Sequence, residues 1–234
     1  MSLKIRETII EEYQKDTMDK LMPRAAESFV KNLTGTNIAE IQAYVTEIRL
    51  NQEFHNRIKE KRGTFDRRRK ASRDFSIGTT LGMVLYCICR RQKPDIVVET
   101  GVASGVSSTY ILCALEQNKR GQLYSIDLPW WQENQIGWVI PDYLRHRWHL
   151  ILGKSSEKLA PLLKKVAEID IFLHDSEHSY QNMLREFQTA WAYIKTGGLL
   201  LSHNIDTNNA FSDFCQDRGV NWYSVSNMGG MVKN

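Results

Sequence analysis

From Ile96 onward the chain alternates short apolar runs with stretches of helical periodicity, and that alternation leaves few folds open. Ile96–Glu99, Leu123–Ile126, Trp148–Leu152, Ile169–Leu173 and Leu199–Leu201 are too short for stable helices and read as buried strands. Between them, Ser107–Gln117 and Glu157–Ala167 read as helices, and Tyr180, Met183, Leu184, Phe187, Trp191 and Ile194 recur at helical spacing as far as Gly197-Gly198. Strand–helix alternation predicts a doubly wound, mostly parallel sheet, because a helical crossover is what returns the chain to lay the next strand parallel. Asn208–Arg218 reads as a last helix. Asn221–Val225 and Met231–Lys233, flanking Gly229-Gly230, read as a hairpin that adds an antiparallel strand at the edge.

The N-terminal third has no strand signal. Residues 3–33 look helical, and Asn37 with Glu40 makes a capping-box pattern ahead of Ile38, Ile41, Val45 and Ile48, which form one apolar stripe. Residues 1–76 therefore read as a helical appendage with a basic loop, and residues 77–234 as the core domain. The appendage should pack on the core, cover a ligand mouth or pair with a second subunit. Arg57–Arg73 is its most basic stretch, and Gly63 is expected to interrupt it with a loop. Such a patch could dock nucleic acid or an acidic substrate, but few aromatic residues are interleaved, which argues against a single-strand stacking platform. Thr79 or Thr80 can cap a helix carrying Leu81, Val84, Leu85 and Ile88.

Four cysteines, Cys87, Cys89, Cys113 and Cys215, show no disulfide-like framework and read as reduced thiols of a cytoplasmic protein. No apolar run approaches a membrane span, and a net charge of +4 does not by itself call for a nucleic-acid partner.

In an open α/β sheet, ligands meet the carboxyl ends of the strands, so the strand tips carry the chemistry. Val97–Gly105 is strand, acid, glycine turn and helix start, which aims free backbone N–H groups at an anionic group. A dinucleotide site would want G-x-G-x-x-G, yet position 103 is Ala, and Glu99 would repel a pyrophosphate. A ligand with both a carboxylate and an ammonium suits the pair better, and S-adenosylmethionine (SAM) is one. The stretch resembles the acid-x-Gly-x-x-x-Gly motif of class I SAM-dependent methyltransferases, whose sheet is Rossmann-like with the same antiparallel end.

Downstream, Asp175-Ser176-Glu177-His178-Ser179-Tyr180, an amphipathic helix, Gly197-Gly198, a strand and Ser202-His203-Asn204 look like the metal-dependent small-molecule and sugar O-methyltransferases. That resemblance covers residues 94–234 and implies a role for each tip. Glu99, Gly101, Ala103 and Ser104 would hold the methionine end of SAM, Asp127 its ribose and Ser155 its adenine edge, with Asp175 adjoining. Asp175, His203 and Asn204 would hold Mg²⁺ or another divalent cation, and His178 would be the general base. Relatives normally carry a carboxylate in the downstream pair, where this chain has His203-Asn204. The implied activity is methyl transfer to the hydroxyl of a small molecule. A nucleic-acid or protein methyltransferase docking through Arg57–Arg73, and a SAM- or nucleotide-binding protein without catalysis, are the competing expectations.

Overall fold

The computed structural model describes residues 22–68, 78–129 and 136–234. Expectations for residues 3–21 and for the far end of the basic stretch lie outside them. Among these residues four helices come first: α1 (Arg24–Thr34), α2 (Ile38–Leu50), α3 (Gln52–Arg68) and α4 (Thr79–Gln92). Then follow β1 (Ile96–Thr100), α5 (Val106–Asn118), β2 (Gln122–Asp127), a 3₁₀ turn (Asp142–Arg147), β3 (Trp148–Leu152) and α6 (Ser155–Val166). The chain continues with β4 (Ile169–His174), α7 (Tyr180–Trp191), β5 (Ile194–Ser202), α8 (Ala210–Arg218), β6 (Trp222–Val225) and β7 (Met228–Val232).

The seven strands of the described residues form one sheet in the order β3-β2-β1-β4-β5-β7-β6. β1 to β5 are mutually parallel, and β7 runs antiparallel to both β5 and β6. The central strands are apolar on both faces, as a sheet covered by helices on each side requires. Successive residues split between two cores. Val97, Ile171, Leu173, Leu199 and Leu201 face α1, α2, α4 and α5, whereas Val98, Phe172, Leu200 and Met231 face α6, α7 and α8. At about 1.5–3 kcal/mol for each fully buried large apolar side chain, these two layers are the main drive to fold.

Helices α1–α3 share the first core through Phe29, Val30, Leu33, Ile41, Val45, Ile48 and Phe54, all buried. One guanidinium edge of Arg90 on α4, Nε and Nη2, donates to both carboxylate oxygens of Glu47 of α2, at 2.8 and 2.9 Å, and the Tyr86 hydroxyl donates to the same carboxylate. The Asn37 side chain caps α2 by accepting from Glu40 N–H at 2.9 Å, as its spacing predicts.

Four local expectations need correction. Gly63 does not interrupt the basic stretch, because α3 runs through it to Arg68. α4 starts on Gly78 as N-cap with no side-chain cap, so Thr79 is already inside the helix. Ile194 belongs to β5 and not to the preceding helix, and β5 crosses Gly197-Gly198 beside a register shift against β4. The hairpin turns at Ser226-Asn227, with Ser226 at φ 50°, and the two glycines lie within β7. Their missing side chains are needed there: a Cβ on Gly229 would sit 2.5 Å from the Phe211 ring, and one on Gly230 would sit 2.6 Å from Leu33.

Candidate active site

The sheet order reverses between β1 and β4, since β1 leads outward to β2 and β3 while β4 leads to β5 and β7. Ligands of open α/β sheets bind in the crevice at such a switch point. Here the two facing tips are tied together, with Asp175 N–H donating to Thr100 O at 2.8 Å. Gly101 follows at φ 84°, and a Cβ on it would lie 2.0 Å from the Asp175 carbonyl oxygen. Only glycine permits that approach.

The turn after β1 is held from the neighbouring strand. Val102 and Ala103 donate their N–H groups to one oxygen of Asp127, at 2.9 and 2.8 Å, and Leu128 N–H donates to the other at 2.6 Å. Asp127, expected at a ribose, thus lies at the tip of β2 against the glycine turn. Ala103 sits exposed at φ 49°. The Ser104 hydroxyl is enclosed and has no hydrogen-bond partner among the described residues. Ser155 is the first residue of α6, just beyond the β3 tip that pairs with Asp127, and Lys154 is the N-cap in its place.

Glu99 lies fully buried beneath the turn. Its carboxylate accepts from the hydroxyls of Ser107, Ser108 and Ser125, the last two at 2.6 and 2.9 Å. Burial pushes its pKa up to about 7, with the three serine hydrogen bonds pulling the other way. Glu99 therefore supports the turn from inside the fold.

Beyond β4 and β5 the side chains converge. Asp175 Oδ1 lies 2.8 Å from His203 Nδ1 and 3.5 Å from His178 Nε2. Burial alone would raise the Asp175 carboxyl, but the hydrogen bonds and charge of the two imidazoles outweigh it and hold the group below its usual range. One ligand atom from each of Asp175, His178 and His203 fits within 4.8 Å of the others. Asn204 departs from this group. It adopts a left-handed backbone at φ 53°, and its Oδ1 accepts from Asn227 Nδ2 at 3.0 Å.

The donor set bears on the expected cation. Mg²⁺ demands near-octahedral hard oxygens, whereas this cluster offers one carboxylate and two imidazoles, and the amide oxygen of Asn204 is engaged elsewhere. The set does not fit Mg²⁺.

A second polar network, which the sequence reading missed, lies behind the cluster. Glu186 on α7 is buried and accepts from Thr100 Oγ1 at 2.5 Å, His174 Nδ1 at 2.7 Å, Ser176 Oγ at 2.7 Å and Asn182 Nδ2 at 3.1 Å. Burial pushes its pKa up, but the His174 contact and the other hydrogen bonds prevail and bring it down to about 2. The signal was a charged residue on the apolar stripe of α7, between the buried Met183 and Phe187. By linking Thr100 on β1 to Ser176 after β4, Glu186 fixes both lips of the crevice.

Residues 98–205 match the family model of a methyltransferase domain, a span that runs from β1 through the β5 tip. Solved methyltransferases share the fold at low identity. The SAM-bound O-methyltransferase TomG of Streptomyces achromogenes has a TM-score of 0.61 at 16% identity, over 82% of this chain and 96% of its own. The Bacillus cereus O-methyltransferase in complex with S-adenosylhomocysteine (SAH) gives 0.59 at 13%, over 87% and 100%. The SAH-bound methyltransferase PaMTH1 of Podospora anserina gives 0.60 at 14%, over 79% and 89%. No curated protein matches the chain in sequence.

Proposed function

Starting from a chain whose residues 98–205 match a methyltransferase domain, we propose that this protein transfers the methyl group of SAM to a hydroxyl of a small molecule. The observation that carries the reading is the juxtaposition, at the sheet's switch point, of the glycine turn 101–105 with the Asp175–His178–His203 cluster. The O-methyltransferases that share the fold, one of them involved in tomaymycin synthesis, support a small hydroxylated acceptor.

The turn N–H groups at the start of α5 suit the methionine carboxylate, and Asp127 at the tip of β2 suits the ribose hydroxyls. Val102 and Ala103 would then exchange the Asp127 carboxylate for ligand contacts. Methyl transfer is an in-line displacement at the sulfonium methyl, and a neutral hydroxyl is a poor nucleophile. His178, beside Asp175 and partly open to solvent, takes the acceptor's proton as the C–O bond forms, and SAH leaves. Asp175 stabilises the imidazolium that results, because its carboxyl stays ionised.

Calorimetric titration with SAH, followed by a methylation assay over a panel of hydroxylated small molecules, tests the reading. One-site SAH binding with methyl transfer to a hydroxyl supports it. Absence of SAH binding rejects it.

A further inference from the structure

We propose that Asp175, His178 and His203 form a binding site for a divalent transition ion that prefers imidazole, such as Zn²⁺ or Co²⁺, and that the site discriminates against Mg²⁺. The proposal rests on the methyltransferase reading for its setting, but its donors stand on their own geometry. Asp175 and His203 come from two adjacent strand tips and His178 from the loop after β4, with donor atoms inside 4.8 Å. Two imidazoles plus one carboxylate is a donor set used by transition-metal sites, which leaves coordination positions open.

Three further observations support it. The Nε2 atom of His178 is enclosed and makes no close hydrogen bond among the described residues, its nearest charged neighbour being Asp175 Oδ1 at 3.5 Å. Such groups in native structures call for an explanation, and an unfilled ion site is one. Both imidazoles approach the same Asp175 oxygen, so the three groups already converge on one point. The cluster is also backed by a rigid second layer: His174, whose ring packs edge-to-face on His178 at 5.5 Å, is fixed through its Nδ1 by Glu186.

Selectivity follows from ligand chemistry. The only oxygen donor in the trio is Asp175, and the nearest amide oxygen, on Asn204, is held by Asn227. Mg²⁺ would have to replace water with two imidazoles, which it does reluctantly, whereas Zn²⁺ and Co²⁺ bind imidazole readily. An imidazole whose lone pair is on an ion cannot accept a proton, so a bound ion would instead acidify the acceptor hydroxyl, whose proton would pass to solvent, where the free cluster takes it up on His178.

The test is titration of the metal-free, full-length chain with Co²⁺, followed by visible d–d absorption and calorimetry, with Mg²⁺ in large excess as competitor. SAH binding is measured on every sample. The expected result is one Co²⁺ per chain, displaced by Zn²⁺ and not by Mg²⁺. Co²⁺ affinity should fall by at least ~10–100-fold in His178→Ala and in His203→Ala, the range already seen on losing an outer-shell partner. SAH affinity in both variants should stay near that of the parent, which shows that they fold. Absence of a Co²⁺ spectrum, equal competition by Mg²⁺, or indifference to both substitutions overturns the proposal. Failure of the parent to bind SAH while Co²⁺ still binds would overturn the methyltransferase reading and leave the ion site standing.

Discussion

His203 Nδ1 stands 2.8 Å from Asp175 Oδ1, a contact that joins the tips of two adjacent parallel strands. The sheet register makes it: His174 pairs with Ser202, so the next residue on each strand emerges side by side. Asp175 thereby holds His203 directly and reaches His178 within the loop that leads to α7.

If His178 takes the acceptor's proton, His178→Ala should lower kcat by about 10²–10⁴-fold, the range for loss of general-base assistance, with SAH affinity kept. Turnover measured at saturating acceptor, beside calorimetry with SAH, reads both quantities. Unchanged turnover would remove the base assignment.

Gly101→Ala should abolish SAH binding and lower the Tm. The added methyl would lie 2.0 Å from the Asp175 carbonyl oxygen, at a backbone φ of 84° that alanine rarely adopts. Because that carbonyl belongs to the β4 tip, relief of the clash must part β1 from β4. A variant that binds SAH with parental affinity would contradict the packing described for the turn.

Glu99 gives stability an unusual pH dependence. Its folded pKa, about 7, is above the ordinary value of 4.5, so the folded state binds the proton more tightly than the unfolded chain. Its contribution is fully present below pH 4.5 and is lost as the pH rises through about 7, an effect on the order of 3 kcal/mol. Urea unfolding of the parent and of Glu99→Gln across this window should show a component of falling stability in the parent that the variant lacks. Parallel curves would count against the buried carboxyl as its source.

Glu186 has the opposite sign. Its folded pKa is about 2, below the ordinary 4.5, so its contribution is present above pH 4.5 and is lost as the pH falls toward 2. Glu186→Ala removes the acceptor of four donors and leaves His174 and Thr100 buried without it. It should cost roughly 3–5 kcal/mol. Denaturant melts at neutral pH measure that loss, and a change under 1 kcal/mol would mean that the network is dispensable.

The strands and their tips were legible because burial on both faces writes a short apolar run, and because the alternation of strands and helices implies a parallel sheet with its polar tips on one edge, whereas the order of the strands came only from the structure. Glu99, Asp127, Asp175 and His203 all lie at carboxyl ends of strands, as their sequence positions imply. What each carboxylate touches was not legible. The serines around Glu99 come from α5 and β2, and the donors to Asp127 come from the turn after β1, so each contact depends on tertiary placement. The same holds for Gly229-Gly230. A glycine pair signals a turn locally, but here Phe211 and Leu33, remote in sequence, demanded the bare backbone. Ile194 fitted the helical period by coincidence, and the sheet claimed it through its pairing with Ile169.

The bare backbone of Gly230 also bears on how the protein comes to be made. Leu33 and Phe29 of α1 lie over that glycine, so α1 rests on a strand that the ribosome makes long after it. Until β7 is made, the apolar stripe of α1 has an incomplete seat, and the nascent chain must carry it partly exposed or shield it with a chaperone. The first core is therefore completed only once β7 has been made, and any message truncated before β7 should yield a product marked for disposal by the surface it cannot hide.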